Sequence, residues 1–260
     1  MILAIDMGNT NIVIGGIDNH RTYFVERVTT NSGKTDLEYA VNIKSILEIH
    51  SISASSIEGA ILSSVVPPLN STILSAVEKI CGFRPMLVGS GMKTGLNIIM
   101  DNPKTVGSDM IVDAVAAIKE YPCPIIIIDM GTATTMSVVD ASGNYIGGVI
   151  LPGLRVSLDS LSTKAAQLPF ISLDAPGNVI GKNTIDCMRS GILYGSAAMI
   201  DGIIDRMEQE LGTAPSLVST GGLAKLLVPL CRHTIAYEDD LLLKGLLVLY
   251  NKNKAGYSGS

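Results

Sequence analysis

Two short segments carry the clearest chemistry. Ile5-Asp-Met-Gly-Asn-Thr10 and Ile128-Asp-Met-Gly-Thr-Ala-Thr134 each place an acid, a glycine and small polar side chains directly after an apolar run. In the first, Gly8 lets the backbone approach an anion without an intervening Cβ, and Asn9, Thr10 and Asn11 add donors. Asp6 is suited to Mg²⁺, directly or through water. In the second, Asp129, Gly131, Thr132 and Thr134 offer a carboxylate, a bare backbone and hydroxyls. That is chemistry for a terminal phosphate or for a hard cation such as Mg²⁺ or K⁺. One copy alone reads as an ordinary turn with an Asx hydrogen bond. Two copies, each followed by a hairpin pattern, point to an internal duplication. The sequence has no GxxxxGK[ST] segment, which excludes a P-loop kinase.

Weaker signals accompany them. Thr220-Gly221-Gly222 follows a strand pattern and opens a helix, where glycine backbone and helix amides favour an anion. Gly107-Ser108-Asp109-Met110 precedes a helix, so Ser108 or Asp109 fits an N-cap; the functional alternative makes Asp109 a general base for an attacking hydroxyl. Gly147 to Gly153 is a glycine-rich strand exit with Arg155 beyond it. Asn183-Thr184 leads into a long helical pattern with Thr184 as a candidate cap. His20, His50 and His233 are scattered and are assigned no role. Cys81, Cys123, Cys187 and Cys231 form no CxxC pair and are expected to be reduced and mostly buried.

The elements that must position these residues follow from periodicity. Each half reads as three strands, then helix, strand, helix, strand, helix. The first strands are nearly all apolar, as for a central strand covered on both faces. Helices are predicted at 35–50, 70–81, 110–120, 185–211, 224–229 and 241–250, with strands at 60–66, 86–88, 217–219 and 234–236. The expected organisation is α/β: duplicated domains over 1–115 and 116–250, each a mixed five-stranded sheet with helices, and a polar tail over 251–260. A cleft between the halves, at the strand ends, is the expected ligand site.

Composition narrows the classes. The 260 residues are 47% hydrophobic and 17% charged, which excludes wholesale disorder. Nineteen Lys+Arg against 24 Asp+Glu give a net charge of −5. With no basic stripe, a nucleic-acid partner is not expected. The N-terminal apolar run has no basic flank and is interrupted by Asp6, unlike a signal peptide. No apolar stretch is long enough to span a bilayer. A cytoplasmic protein without membrane partners is the expectation.

Taken in order, Asp6–Asn11, Asp109, Asp129–Thr134, Gly147–Gly153, Leu168-Pro169, Gly181–Thr184 and Thr220–Gly222 resemble the type III pantothenate kinase family, over nearly the whole chain. The resemblance implies a duplicated actin-like (ribonuclease H-like) fold of the acetate- and sugar-kinase kind. It implies transfer of the ATP γ-phosphoryl group to the hydroxyl of pantothenate, the first step of coenzyme A synthesis. It also implies Mg²⁺ with ATP, a monovalent cation (K⁺ or NH₄⁺), and a homodimer. By motif position, Asp109 is the base and Gly107 belongs to the loop presenting it. Asp6 lies near Mg²⁺, with Gly8, Asn9, Thr10 and Asn11 in the first phosphate loop. Asp129 lies near the monovalent cation, with Gly131, Thr132 and Thr134 in the second loop, and Gly221 and Gly222 join the nucleotide side. Met100, Ser108, Met110, Gly153 and Thr184 fall on the pantothenate side. The sequence departs from the family at two positions: Met110 stands where arginine is usual, and Met100 where tyrosine is usual. Methionine cannot replace the five-donor guanidinium fork. The alternatives are a related kinase with another hydroxyl acceptor, or a catalytically silent nucleotide-binding homologue.

Overall fold

The computed structural model describes residues 1–256. The chain begins with β1 (Ile2–Met7), β2 (Asn11–Ile17), β3 (Thr22–Thr29), α1 (Asp36–Ile49), β4 (Gly59–Ser64), α2 (Asn70–Cys81) and β5 (Met86–Leu87). It continues with β6 (Asn97–Ile98), α3 (Ser108–Glu120), β7 (Ile125–Met130), β8 (Ala133–Val139), β9 (Asn144–Pro152) and α4 (Leu154–Lys164). It ends with α5 (Thr184–Leu211), β10 (Ser216–Thr220), α6 (Ala224–Leu227), β11 (Ala236–Tyr237) and α7 (Leu241–Asn253).

The duplication is visible in the strand order. The first sheet runs β3-β2-β1-β4-β5. In the second, β9-β8-β7-β10-β11 repeats that order, and β6 adds a sixth strand beside β9. In each, the first three strands are antiparallel and the last two run parallel to the first. β1 and β7 are both six residues long and share one burial pattern, with the acid at the fifth position. The hairpin registers even slip at matching places, at Gly16/Ile17 and at Val138/Val139. Two five-stranded sheets were expected; the sixth strand is only two residues long, too short for any periodicity to announce it.

Two compact units result. One comprises Met1–Leu96, Asn102–Lys119 and the described chain from Asp240 onward; the other comprises Asn97–Asp101 and Glu120–Asp239. In the first unit, one sheet face (Leu3, Ile5, Met7) packs on α1 and α2. The opposite face (Ile2, Ala4, Ile61) packs on Val112 and Val115 of α3 and on Leu243, Leu246 and Leu249 of α7. The sequence reading placed α7 in the second half. Its leucines instead complete the first sheet, which α3 alone leaves partly uncovered. Each fully buried leucine is worth about 1.5–3 kcal/mol. In the second unit, Ile126, Ile128 and Met130 pack on α4, α5 and α6.

Smaller differences have local causes. α4, beyond the glycine-rich strand exit, was not among the predicted helices; only Leu154 and Leu158 of it, one helical turn apart, are buried. Asn183, not Thr184, caps α5, its Oδ1 accepting from the Asp186 amide at 2.9 Å. The tail expected over 251–260 is helical to Asn253 and a 3₁₀ turn over Lys254–Gly256; the remainder of that range lies outside the described residues. The cysteines are less buried than expected: Cys187 is exposed and the others intermediate, all unpaired.

Candidate active site

The first loop is built by β1, β2 and β3. Met7 pairs with Ile12, so residues 8–11 form the connecting turn. The Gly8 amide donates to the Asn11 carbonyl at 3.0 Å, which closes the turn and leaves Asn9 and Thr10 at its exposed tip. The end of β3 buttresses it. Thr30 donates through Oγ to the Gly8 carbonyl (2.7 Å) and through its amide to the Thr10 carbonyl (2.9 Å). Thr30 was not singled out from sequence; the β2–β3 register, which sets Asn11 opposite Thr29, is the signal that finds it.

Asp6 lies on the same face of β1 as Ile2 and Ala4, because side chains alternate along a strand. That is the face covered by α3. Asp109 is the second residue of α3. The cap position falls on Gly107, whose carbonyl accepts the Ile111 amide at 3.2 Å, so neither Ser108 nor Asp109 caps the helix. Asp109 Oδ1 accepts from the Met110 amide at 2.9 Å. A Cβ on Gly107 would collide with that oxygen, so glycine here leaves the carboxylate its room. Asp109 is half-exposed.

The second loop is one residue shorter. Met130 pairs with Thr134, and the Gly131 amide donates to the Ala133 carbonyl at 3.0 Å. Thr132 is at the exposed tip, whereas Thr134 is buried. Gly153 closes over this loop: its amide donates to the Thr132 carbonyl at 3.2 Å, and any Cβ would strike the carbonyls of Gly131 and Thr132. Gly153 thus shapes the second loop in the structure. Asp129 is in register with Thr220 of β10, and Gly221 follows at φ +94°. A Cβ on Gly221 would lie 2.7 Å from Asp129 Oδ1 and 2.7 Å from the Met130 backbone. The expected helix-terminus contribution at Gly221–Gly222 does not hold, because α6 has four residues. What this corner supplies is close backbone approach to a carboxylate.

The two methionine departures lie on different units: Met110 on α3 of the first, Met100 just after β6 in the second, 38% exposed. Thr184 opens α5 with its side chain exposed, since Asn183 does the capping. Among the described residues no group of three His, Cys, Asp or Glu gathers to hold a metal. The donor set fits Mg²⁺, which is commonly bound by one or two carboxylates together with substrate phosphates rather than by an all-protein cage.

Twin sheets of order 3-2-1-4-5, each with an acid near the end of its first strand, define a duplicated actin-like fold. Solved structures share the fold. Component A of (R)-2-hydroxyglutaryl-CoA dehydratase from Acidaminococcus fermentans matches with TM-score 0.56 at 16% identity, over 98% of this chain and 99% of that one. The ethanolamine utilization protein EutJ from Carboxydothermus hydrogenoformans matches with TM-score 0.55 at 14% identity, over 96% and 89%. Sequence comparison is more specific. The family model for type III pantothenate kinase matches residues 2–206. Type III pantothenate kinases from Exiguobacterium sp. and Brevibacillus brevis are 45% and 43% identical to this chain, each covering 98% of it and 100% of the relative. The chain belongs to the type III pantothenate kinase family.

Proposed function

We propose that the chain transfers the γ-phosphoryl group of ATP to the hydroxyl of pantothenate, the first step of coenzyme A synthesis, with Asp109 as the base. The observation that carries the residue assignment is the placement of Asp109 at the start of α3, above the sheet face that bears Asp6. Asp109 accepts the hydroxyl proton as the hydroxyl oxygen bonds to the γ-phosphorus. The bond from that phosphorus to the β–γ bridging oxygen breaks, and ADP leaves. Asp6 and the Gly8–Asn11 turn bind the phosphates; Gly131, Thr132 and Thr134 bind them from the second loop, with Gly221 and Gly222 on the nucleotide side. Mg²⁺ with Asp6 would neutralise phosphate charge. Asp129 holds a monovalent cation, K⁺ or NH₄⁺, and rates equal in Na⁺, K⁺ and NH₄⁺ would oppose that assignment. Met100, Met110, Gly153 and Thr184 belong to the acceptor side.

Asp109→Asn tests the base. Asparagine keeps the size and an oxygen to accept the Met110 amide, but cannot take the proton. A base contributes ~10²–10⁴-fold, so kcat falls by about that factor with KM for ATP little changed. A near-normal rate in a folded variant removes Asp109 from the mechanism.

Met110 favours one second reading, a related hydroxyl acceptor. Losing a charge-assisted contact costs ~1.5–3 kcal/mol, or about 10- to 150-fold in affinity. Comparing kcat/KM for pantothenate and pantetheine decides between them. Action in the cytoplasm and as a homodimer completes the reading. A monomeric mass in solution would oppose the homodimer.

A further inference from the structure

We propose that Ser63 and Ser108 form a positioning pair that fixes Asp109 over the Asp6 strand, and that Ser108 serves this role rather than contacting the acceptor. The inference rests on the reading of Asp109 as the base. Ser63 is fully buried in β4, on the face that carries Ile61 toward α3 and α7. A hydroxyl in such surroundings requires a partner. Its partner is not on the sheet: Ser63 Oγ donates to Ser108 Oγ at 3.1 Å, and Ser108 Oγ donates in turn to the Ser64 carbonyl at 3.1 Å. Two hydroxyls in series thus tie the end of β4 to the first residue of α3.

The anchor point is specific. β1 and β4 run parallel with Ser63 in register with Asp6 and Ser64 with Met7. Registered residues on neighbouring strands share a sheet face, so Ser63 is the neighbour of Asp6 and the tether of Asp109 at once. Val112 and Val115 hold α3 against the sheet by apolar packing, which is non-directional. It resists separation of helix and sheet but discriminates poorly between small slides or rotations. The hydroxyl chain is directional and acts at the helix end that bears the base. The second unit echoes the arrangement: Asp129 has a hydroxyl residue, Thr220, at the same register position.

The test compares steady-state kinetics and thermal melting of full-length Ser63→Ala, Ser108→Ala, Ser108→Thr, Asp109→Asn and the double variant Ser63→Ala/Asp109→Asn. Misplacement by about 1 Å costs up to ~10²-fold. Loss of either serine hydroxyl is therefore expected to lower kcat about 10-fold, with KM for ATP within about 2-fold. Ser108→Thr, which keeps the hydroxyl, restores most of the rate. Once the base is gone its position no longer matters, so Ser63→Ala costs less than about 2-fold in the Asp109→Asn background. Wild-type kcat in Ser63→Ala, or an equal loss with and without Asp109, overturns the proposal in favour of simple core satisfaction. A rise confined to KM for pantothenate in Ser108→Ala overturns it in favour of substrate contact. If Ser63→Ala does not fold, the partly exposed Ser108 pair of variants decides alone. Failure of the underlying reading is separately visible as a near-normal kcat in Asp109→Asn, which takes the positioning role down with it.

Discussion

Replacing Gly221 with alanine should be among the most damaging single-methyl additions in the second unit. The backbone there has φ +94°. An L-residue in left-handed conformation costs roughly 1–2 kcal/mol. The added Cβ would also stand 2.7 Å from Asp129 Oδ1 and 2.7 Å from the Met130 N and C atoms. The carboxylate can swing away, but the Met130 backbone is in the centre of the sheet and cannot. Overpacking of this kind costs about 1–3 kcal/mol. The sum is about 2–5 kcal/mol, and at ~2–4 °C per kcal/mol the melting temperature falls by roughly 4–20 °C. Gly222 is the internal control, because a Cβ there meets no atom within 4 Å. Gly222→Ala should change stability by under about 1 kcal/mol. Thermal unfolding of the two variants, followed by circular dichroism, makes the comparison. Equal melting temperatures for Gly221→Ala and Gly222→Ala would refute both the strain and the crowding argument. On the proposal that Asp129 holds a monovalent cation, its displacement in Gly221→Ala samples folded at low temperature should also weaken any activation by K⁺.

Thiol labelling should discriminate the cysteines. Burial, with the nearby Asp201 charge, pushes the Cys231 thiol up to about 11, so at pH 8 it alkylates slowly, and exposed Cys187 reacts first; peptide mapping after brief iodoacetamide treatment that finds Cys231 labelled first would contradict this. Acid stability should depend on Asp140. The Asn144 side-chain amide, with the backbone amides of Asn144, Ser142 and Gly143, holds its carboxyl below the ordinary value of 3.8. A depressed folded value means the stabilisation is present above 3.8 and lost as pH falls through the lower folded value. Asp140→Ala should therefore lower the urea midpoint at pH 7 and lose that deficit at strongly acid pH; a deficit independent of pH would exclude the carboxylate as its source.

The parts of this structure that were legible in sequence are those set by local pattern. Both acid-glycine turns, the apolar strands before them and helix α2 over Asn70–Cys81 follow from periodicity and turn chemistry. Asp109 was legible as a candidate but not its geometry, because Gly107, Ser108 and Asp109 all tolerate a cap position, and only the Ile111 amide shows which one is used. Ser63 was invisible for a different reason. A serine within Leu62-Ser63-Ser64-Val65 has no local feature to separate it from its neighbour; its role depends on a partner in another element. Gly153 and Thr30 likewise act through loops distant in sequence. The placement of α7 was illegible because an amphipathic leucine-rich helix states that it must be buried, not against which sheet.

That placement bears on how the chain is made. Residues 120–239 contain nearly all of the second unit in one uninterrupted stretch, whereas the first unit requires Leu243, Leu246 and Leu249 to cover Ile2, Ala4 and Ile61. During synthesis at about 5–20 residues per second, the first sheet waits on the order of ten seconds with one apolar face incompletely covered. The later half of the polypeptide is thus able to finish folding before the earlier half. A nascent chain stalled before Leu241 should present a protease-resistant second unit beside a cleavable first one. Emergence of α7 is then the event that completes the packing around the strand bearing Asp6 and the helix bearing Asp109.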